Sequence, residues 1–224
     1  MYTLAFDTTG CGCSIILLKD EQPLEIYEKC CEFGQAEILM PQIKRILEKH
    51  NILFEDIGAL FVCVGPGSFT GVRSGVAAAK VFQFASSKLI VGGVSAVEAY
   101  KQTFEKKELS EINAIIIETR RDDFYAQLFD KNLKEITEPE VLTYEELLKK
   151  LKSRGVNVSL CGDGVERFLS KPSGLALHAI KLEKMIPIKS LAQAGLKMLK
   201  DKKINHPKPL YLRAPDVSVP KENN

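Results

Sequence analysis

The chain has 224 residues, 45% of them hydrophobic and 27% charged, which marks an ordinary globular protein with one large domain or two small ones. With a formal net charge of +2 and its lysines balanced by acids, the chain does not indicate the concentrated basic face of a protein that grips nucleic acid strongly by itself. No apolar run reaches the length of a membrane span, and the N-terminus lacks the basic start and apolar stretch of a signal peptide, so a cytoplasmic protein is expected.

Residues 3–6 read as a short apolar strand, Asp7-Thr8-Thr9-Gly10 as a turn, and 13–18 as the returning strand of a hairpin. A third strand is expected over 24–32. Over 35–50 the residues Leu39, Ile43, Ile46 and Leu47 fall on one stripe at helical spacing, with Lys44, Arg45, Glu48 and Lys49 opposite; Pro41 either starts or kinks this helix. The run 59–64 suits a buried strand. Gly65-Pro66-Gly67-Ser68-Phe69-Thr70-Gly71 then leads into an alanine-rich helix over 72–85, and 89–91 reads as one more strand of a parallel pair. Ser95 and Glu98 have the spacing of a capping box, for a helix to about residue 104. The polar stretch 106–111 is the expected boundary between units.

Beyond it the order repeats. Strands are expected over 112–117, 125–129 and 134–142, then a helix capped at Thr143 and closed by Gly155, a strand over 156–161, and a glycine turn, Gly162-Asp163-Gly164, into a short helix. A helix over 190–200 follows. Two copies of one unit, ~100 residues apart, imply two similar lobes with a cleft between them. The second copy looks thinner. The expected division is a first lobe over 1–105, a reduced second lobe over 106–215 whose C-terminal helix packs back on the first, and a disordered tail over 216–224.

Familiar chemistries fail on spacing. From Pro66 the count of a Walker loop reaches Gly71, but Val72 stands where lysine is required. A dinucleotide fingerprint needs glycine where Thr70 stands. His50, His178 and His206 have no paired metal-ligand spacing, and the six cysteines lack C-x-x-C spacing and read as reduced, small apolar residues. Neither a catalytic residue nor a metal ligand is therefore assigned. Asp7, at the end of the first strand, has two readings: with Thr8, Thr9, Gly65, Gly67 and Ser68 it seats magnesium and phosphates, or it caps a turn. The lysines near the C-terminus, Lys197 to Lys208, read as a solvated face.

The run from Gly65 to Arg73, after an apolar strand and before an Ala-rich helix, closely resembles the signature of the TsaB (YeaZ) family. Matching stretches include Leu4-Ala5-Phe6-Asp7-Thr8, Ala36-Glu37, the run from Gly92 to Glu98, Gly162-Asp163-Gly164 and Leu210-Tyr211-Leu212-Arg213. Relatives often carry other residues at the positions of Gln35, Ala36, Ser74, Glu118 and Thr119. The resemblance implies a two-lobed actin-like ATPase (RNase H-like) α/β fold made of duplicated βββαβα units. It further implies a non-catalytic subunit of the machinery that makes N6-threonylcarbamoyladenosine in tRNA, partnered by the catalytic paralogue TsaD and the ATPase TsaE. No cofactor of its own is implied; ATP or ADP with Mg belongs at the junction of the complex, and tRNA is met through the complex. Members of the family pair through first-lobe helices, which makes Leu39, Met40, Ile43, Val76, Ala79 and Lys80 the expected contact residues, usable also by a homodimer. The alternative is an autonomous nucleotide-dependent kinase or phosphohydrolase working through Asp7 and the two glycine turns.

Overall fold

Residues 1–31, 34–154, 157–181 and 184–213 are described by the computed structural model. The first lobe is built on β1 (Tyr2–Asp7), β2 (Cys13–Lys19), β3 (Gln22–Lys29), β4 (Ile57–Cys63) and β5 (Ile90–Val94), in the order β3-β2-β1-β4-β5. The first three strands are antiparallel and the last two parallel, with Phe6 opposite Ile15 in β2 and Val62 in β4. The second lobe uses β6 (Ile112–Glu118), β7 (Asp123–Asp130), β8 (Glu140–Thr143), β9 (Asn157–Cys161) and β10 (Ala176–Lys181). Read from its β8 edge the order is β8-β7-β6-β9-β10, the same topology with the same strand directions. The duplication expected of an actin-like fold is therefore present strand for strand.

Strands buried on both faces read as near-continuous apolar runs, and β1, β2, β4 and β6 do so. The edge strand β3 is largely exposed and polar instead. Among the described residues six α-helices complete the lobes: α1 (Gln35–Lys49), α2 (Phe69–Ala85), α3 (Ala96–Lys101), α4 (Tyr144–Lys152), α5 (Val165–Leu169) and α6 (Ile188–Lys200). Pro41 lies inside α1 and does not start it. The Ser95 hydroxyl accepts the Glu98 amide at 3.0 Å to open α3. At α4 the box is reciprocal, Thr143 accepting from the Glu146 amide while Glu146 accepts from the Thr143 amide at 2.8 Å.

The reduction of the second lobe falls on its helix. Where α2 has 17 residues, α5 has 5, while the sheet is complete because of β10. That strand, Ala-Leu-His-Ala-Ile-Lys, escapes the sequence reading because it is an edge strand with two alanines and alternating exposure. The expected strand over 134–142 shortens to β8, preceded by a single bridge between Phe129 and Glu135. Gly155 and the tail over 216–224 lie outside the described residues.

Three apolar clusters hold the molecule. One packs α1 and α2 on the outer face of the first sheet, around Leu4, Phe6, Leu60 and Val62. Another packs α4 and α5 on the outer face of the second, around Ile116, Phe124 and Phe168. The third lies between the sheets and joins Ala5, Ile16 and Phe61 of the first lobe to Ile115, Ile117 and Phe129 of the second, with α3 and α6 filling the gap. A Cβ at Gly195 of α6 would overlap the Phe61 ring, so this helix lies against the first sheet at a distance only glycine permits.

Two expectations need correction. Leu39, Ile43, Val76 and Ala79 are 1%, 2%, 3% and 0% exposed. They are the stripe by which α1 and α2 grip the first sheet, so they are core and offer nothing to a partner's surface. Met40 and Lys80, flanking the buried stripes, are exposed. The cysteines are not all thiols: Cys11 and Cys30 form a disulfide. The β2–β3 register sets Cys13 opposite Lys29, and Gly12 turns the chain at φ +123°, which brings the Cys11 and Cys30 Cα atoms to 5.4 Å.

Candidate functional site: the inter-lobe cleft and the glycine loop

The loop after β4 is built by close backbone approach. Gly65 has φ +98°, a left-handed value suited to glycine, and the Gly65–Pro66 peptide is cis. The Ser68 amide donates to the Thr9 carbonyl at 2.7 Å, and the Thr8 hydroxyl donates to the Gly71 carbonyl at 2.7 Å. A Cβ at Gly71 would overlap the Thr8 carbonyl oxygen, and one at Gly67 would come within 2.5 Å of the Thr9 carbonyl oxygen. The loop is thus docked on the β1–β2 turn, and its glycines serve that docking. Ser68 also caps α2 by accepting the Gly71 amide at 3.3 Å.

Asp7 lies beneath this junction, with no exposed surface. Its Oδ1 accepts the Thr9 amide at 2.8 Å and the Thr9 hydroxyl at 2.6 Å, a turn cap, while Oδ2 has no protein partner among the described residues. Burial raises its pKa, and the Thr9 bonds offset only part of the shift. The same burial, with the Asp7 charge beside it, lifts the Cys63 thiol well above its ordinary value.

Between the lobes opens a cleft of about 480 Å³. Its first-lobe wall is Thr9, Gly10, Cys11 and Ser68; its second-lobe wall includes Glu118, Arg120, Asp163 and Glu166, with Lys184 at the side. Asp163 comes from the second glycine turn, where Gly162 at φ +119° is pressed on the Ile116 carbonyl. It accepts the Glu118 amide at 2.9 Å. Desolvation pushes its pKa up to about 7, helped by the charges of Glu118 and Asp7. Glu118 is pinned by a bidentate pair with Arg167, both contacts 2.7 Å.

Of the six residues read as phosphate or magnesium seats, Thr9 and Ser68 reach the cleft, whereas Asp7, Thr8 and Gly65 are sealed beneath it and Gly67 faces a neighbouring groove. Glu118, Asp163 and Glu166 outnumber Arg120 and Lys184 on its lining. Arg167 offsets Glu118, and Asp163 holds its proton up to about pH 7, so these carboxylates are largely neutralised. No group of three His, Cys, Asp or Glu among the described residues could hold a metal ion. His50 lies at the end of α1 against Glu25 at 2.5 Å, His178 on β10, and His206 in the segment beside β5. These residues do not fit a magnesium nucleotide. The second-lobe wall is the part the sequence reading missed; only the Gly-Asp-Gly turn signalled it.

The surface of α2 adds a second feature. Its stripe at Ala77, Val81 and Phe84, spaced four and three residues apart, faces out, with Val81 60% and Phe84 94% exposed. Met40 of the neighbouring α1 is 43% exposed. No helix among the described residues is long and apolar enough to cross a membrane.

A protein-family model described as TsaD: tRNA N6-adenosine threonylcarbamoyltransferase matches residues 34–216. The chain is 26% identical over 95% of both proteins to "tRNA threonylcarbamoyladenosine biosynthesis protein TsaB" of Escherichia coli. It is 26% identical to the protein of the same name from Bacillus subtilis, over 72% of this chain and 71% of that one. Among solved structures, YeaZ from Pseudomonas aeruginosa superposes with a TM-score of 0.75 at 20% identity, covering 94% of this chain and 99% of that one.

Proposed function

Because this chain belongs to the family described as TsaD: tRNA N6-adenosine threonylcarbamoyltransferase, and within it to TsaB/YeaZ, we propose that it is a non-catalytic subunit of the apparatus that installs threonylcarbamoyl on tRNA adenosine. Its partner is the catalytic paralogue TsaD, and TsaE and tRNA join through the complex. The observation that carries this reading is the outward stripe of α2. An exposed phenylalanine at 94% and an exposed valine at 60% on a helix whose other face is core form an apolar patch of the kind that marks a protein contact. Ala77 in the same stripe lets a second helix approach closely. A second copy of the chain can use the same face in the partner's absence.

The burial of Asp7 supports a division of labour. With Asp7 sealed beneath the cleft, nucleotide and magnesium belong at the junction with TsaD, and the reading as an autonomous kinase or phosphohydrolase loses its magnesium seat. The test is co-elution with TsaD on size exclusion with light scattering. The wild-type chain is expected to form the complex, and Val81→Glu with Phe84→Glu to lose it at unchanged melting temperature. Threonylcarbamoylated tRNA made by this chain from threonylcarbamoyl-adenylate without TsaD would sink the proposal.

A further inference from the structure

Beside the inter-lobe cleft, and sharing Ser68 and Thr119 with it, lies a groove of about 280 Å³ with a different chemistry. Its walls carry Phe69, Tyr125 and Tyr211, with Arg121 and Arg213, and no carboxylate residue is among those lining it. Phe69 and Tyr211 pack against each other with their rings tilted by 34° and centroids 5.3 Å apart, and the Arg73 guanidinium sits 5.1 Å over the Phe69 ring. Tyr211 nonetheless keeps 45% of its surface in solvent. Its segment is held by backbone bonds, the Leu210 amide to the Val64 carbonyl and the Gly93 amide to the Asn205 carbonyl, both 2.8 Å. Arg213 is fixed by Asp123, while Arg73, Arg120 and Arg121 are exposed.

A fixed, exposed ring flanked by arginines and hydroxyls is the chemistry that stacks an unpaired base and holds the phosphates on either side. A volume a little below that of an ordinary small-molecule pocket, roughly 300 Å³ and upward, admits one nucleoside. We propose that this groove receives a single unpaired nucleotide of an RNA strand, stacked on Tyr211 with its flanking phosphates toward Arg73 and Arg121. The near-neutral chain needs no wider basic face for a contact of this size. The inference rests on the proposed role in tRNA modification, and it concerns a surface other than the outward stripe of α2.

The test uses the full chain, alone and with TsaD, and a fluorescein-labelled single-stranded oligoribonucleotide with its duplexed counterpart, read by anisotropy. The single strand is expected to bind at least about tenfold tighter than the duplex, whose bases are not free to stack. Tyr211→Ala should weaken it about tenfold, Tyr211→Phe should restore it, and Arg121→Gln should lower the slope of affinity against salt by about one. Photo-crosslinking should map to peptides containing Tyr211 or Phe69. Equal binding of single strand and duplex, no binding of either preparation, or a loss caused by Lys197→Gln with Lys200→Gln on α6 but not by Tyr211→Ala, overturns the proposal. So does protection of the groove by TsaD in hydrogen exchange with no further change on adding RNA, which would make it a protein contact. Failure of TsaD to co-elute with the wild-type chain refutes the role instead and leaves the isolated-chain measurement standing.

Discussion

Gly71 and Asp163 show how single residues set the two walls of the cleft. A Cβ at Gly71 would overlap the backbone oxygen of Thr8, which cannot swing aside as a side chain could. Gly71→Ala should therefore cost at least about 3 kcal/mol, at the upper end for a point substitution, measured by chemical denaturation. A cost below about 1 kcal/mol, no more than helix propensity alone supplies, would mean that the loop is not docked as described. Asp163 makes an opposite kind of prediction. Its folded pKa, near 7, stands above the unfolded value near 4, so the folded state holds the proton more tightly. By linkage its contribution favours folding at low pH and is lost as pH rises from about 4 to about 7. Asp163→Asn, which cannot ionise, should flatten that part of the stability profile and raise the melting temperature at pH 8 relative to pH 5 when each is compared with wild type. An unchanged difference between the two pH values would place the titration elsewhere.

At the scale of elements, α2 separates two questions that its sequence merges. The alanine-rich run gives the helix and its near-uniform apolarity, but apolar on all sides does not say which side meets the sheet. The structure assigns Val72, Val76, Ala79 and Phe82 inward and Ala77, Val81 and Phe84 outward. Val76→Asp should unfold the protein, whereas Val81→Glu should leave the melting curve within about 0.5 kcal/mol of wild type, as surface changes do. Comparable losses would mean that both faces are covered within the monomer. The strand runs and the Ser95 and Thr143 caps were legible because each is a local pattern: a two-faced burial, or an acceptor three residues before a donor. Thr143→Ala should cost about 1 kcal/mol, read by thermal melting. The strand β10 and the Cys11–Cys30 bond were not legible, since one is an edge strand with weak propensity and the other follows from the register of β2 on β3. The cleft's second-lobe wall was half legible, through the Gly-Asp-Gly turn, because Glu118 and Glu166 reach it only after β6 and α5 are set side by side.

Over the whole molecule, the repeated topology would permit two independently folding lobes, but the packing does not. The middle cluster draws on both sheets, and α6, which follows the second lobe in sequence, buries Leu191, Ala192 and Leu196 against the first. Leu191 is fully buried beside residues of both lobes. A large-to-small change there removes contacts that neither lobe can replace from its own sheet. Leu191→Ala should therefore cost about 2–5 kcal/mol, and the loss should be shared. In native-state hydrogen exchange, amides of Leu4 and Ala5 in β1 and of Ile115 and Ile117 in β6 should lose protection by the same free energy, because they open in one cooperative step. Calorimetry of the wild-type chain should then give a single transition with equal van't Hoff and calorimetric enthalpies. Faster exchange confined to β1 would show that α6 belongs to the first lobe alone and that the cleft walls can separate without unfolding.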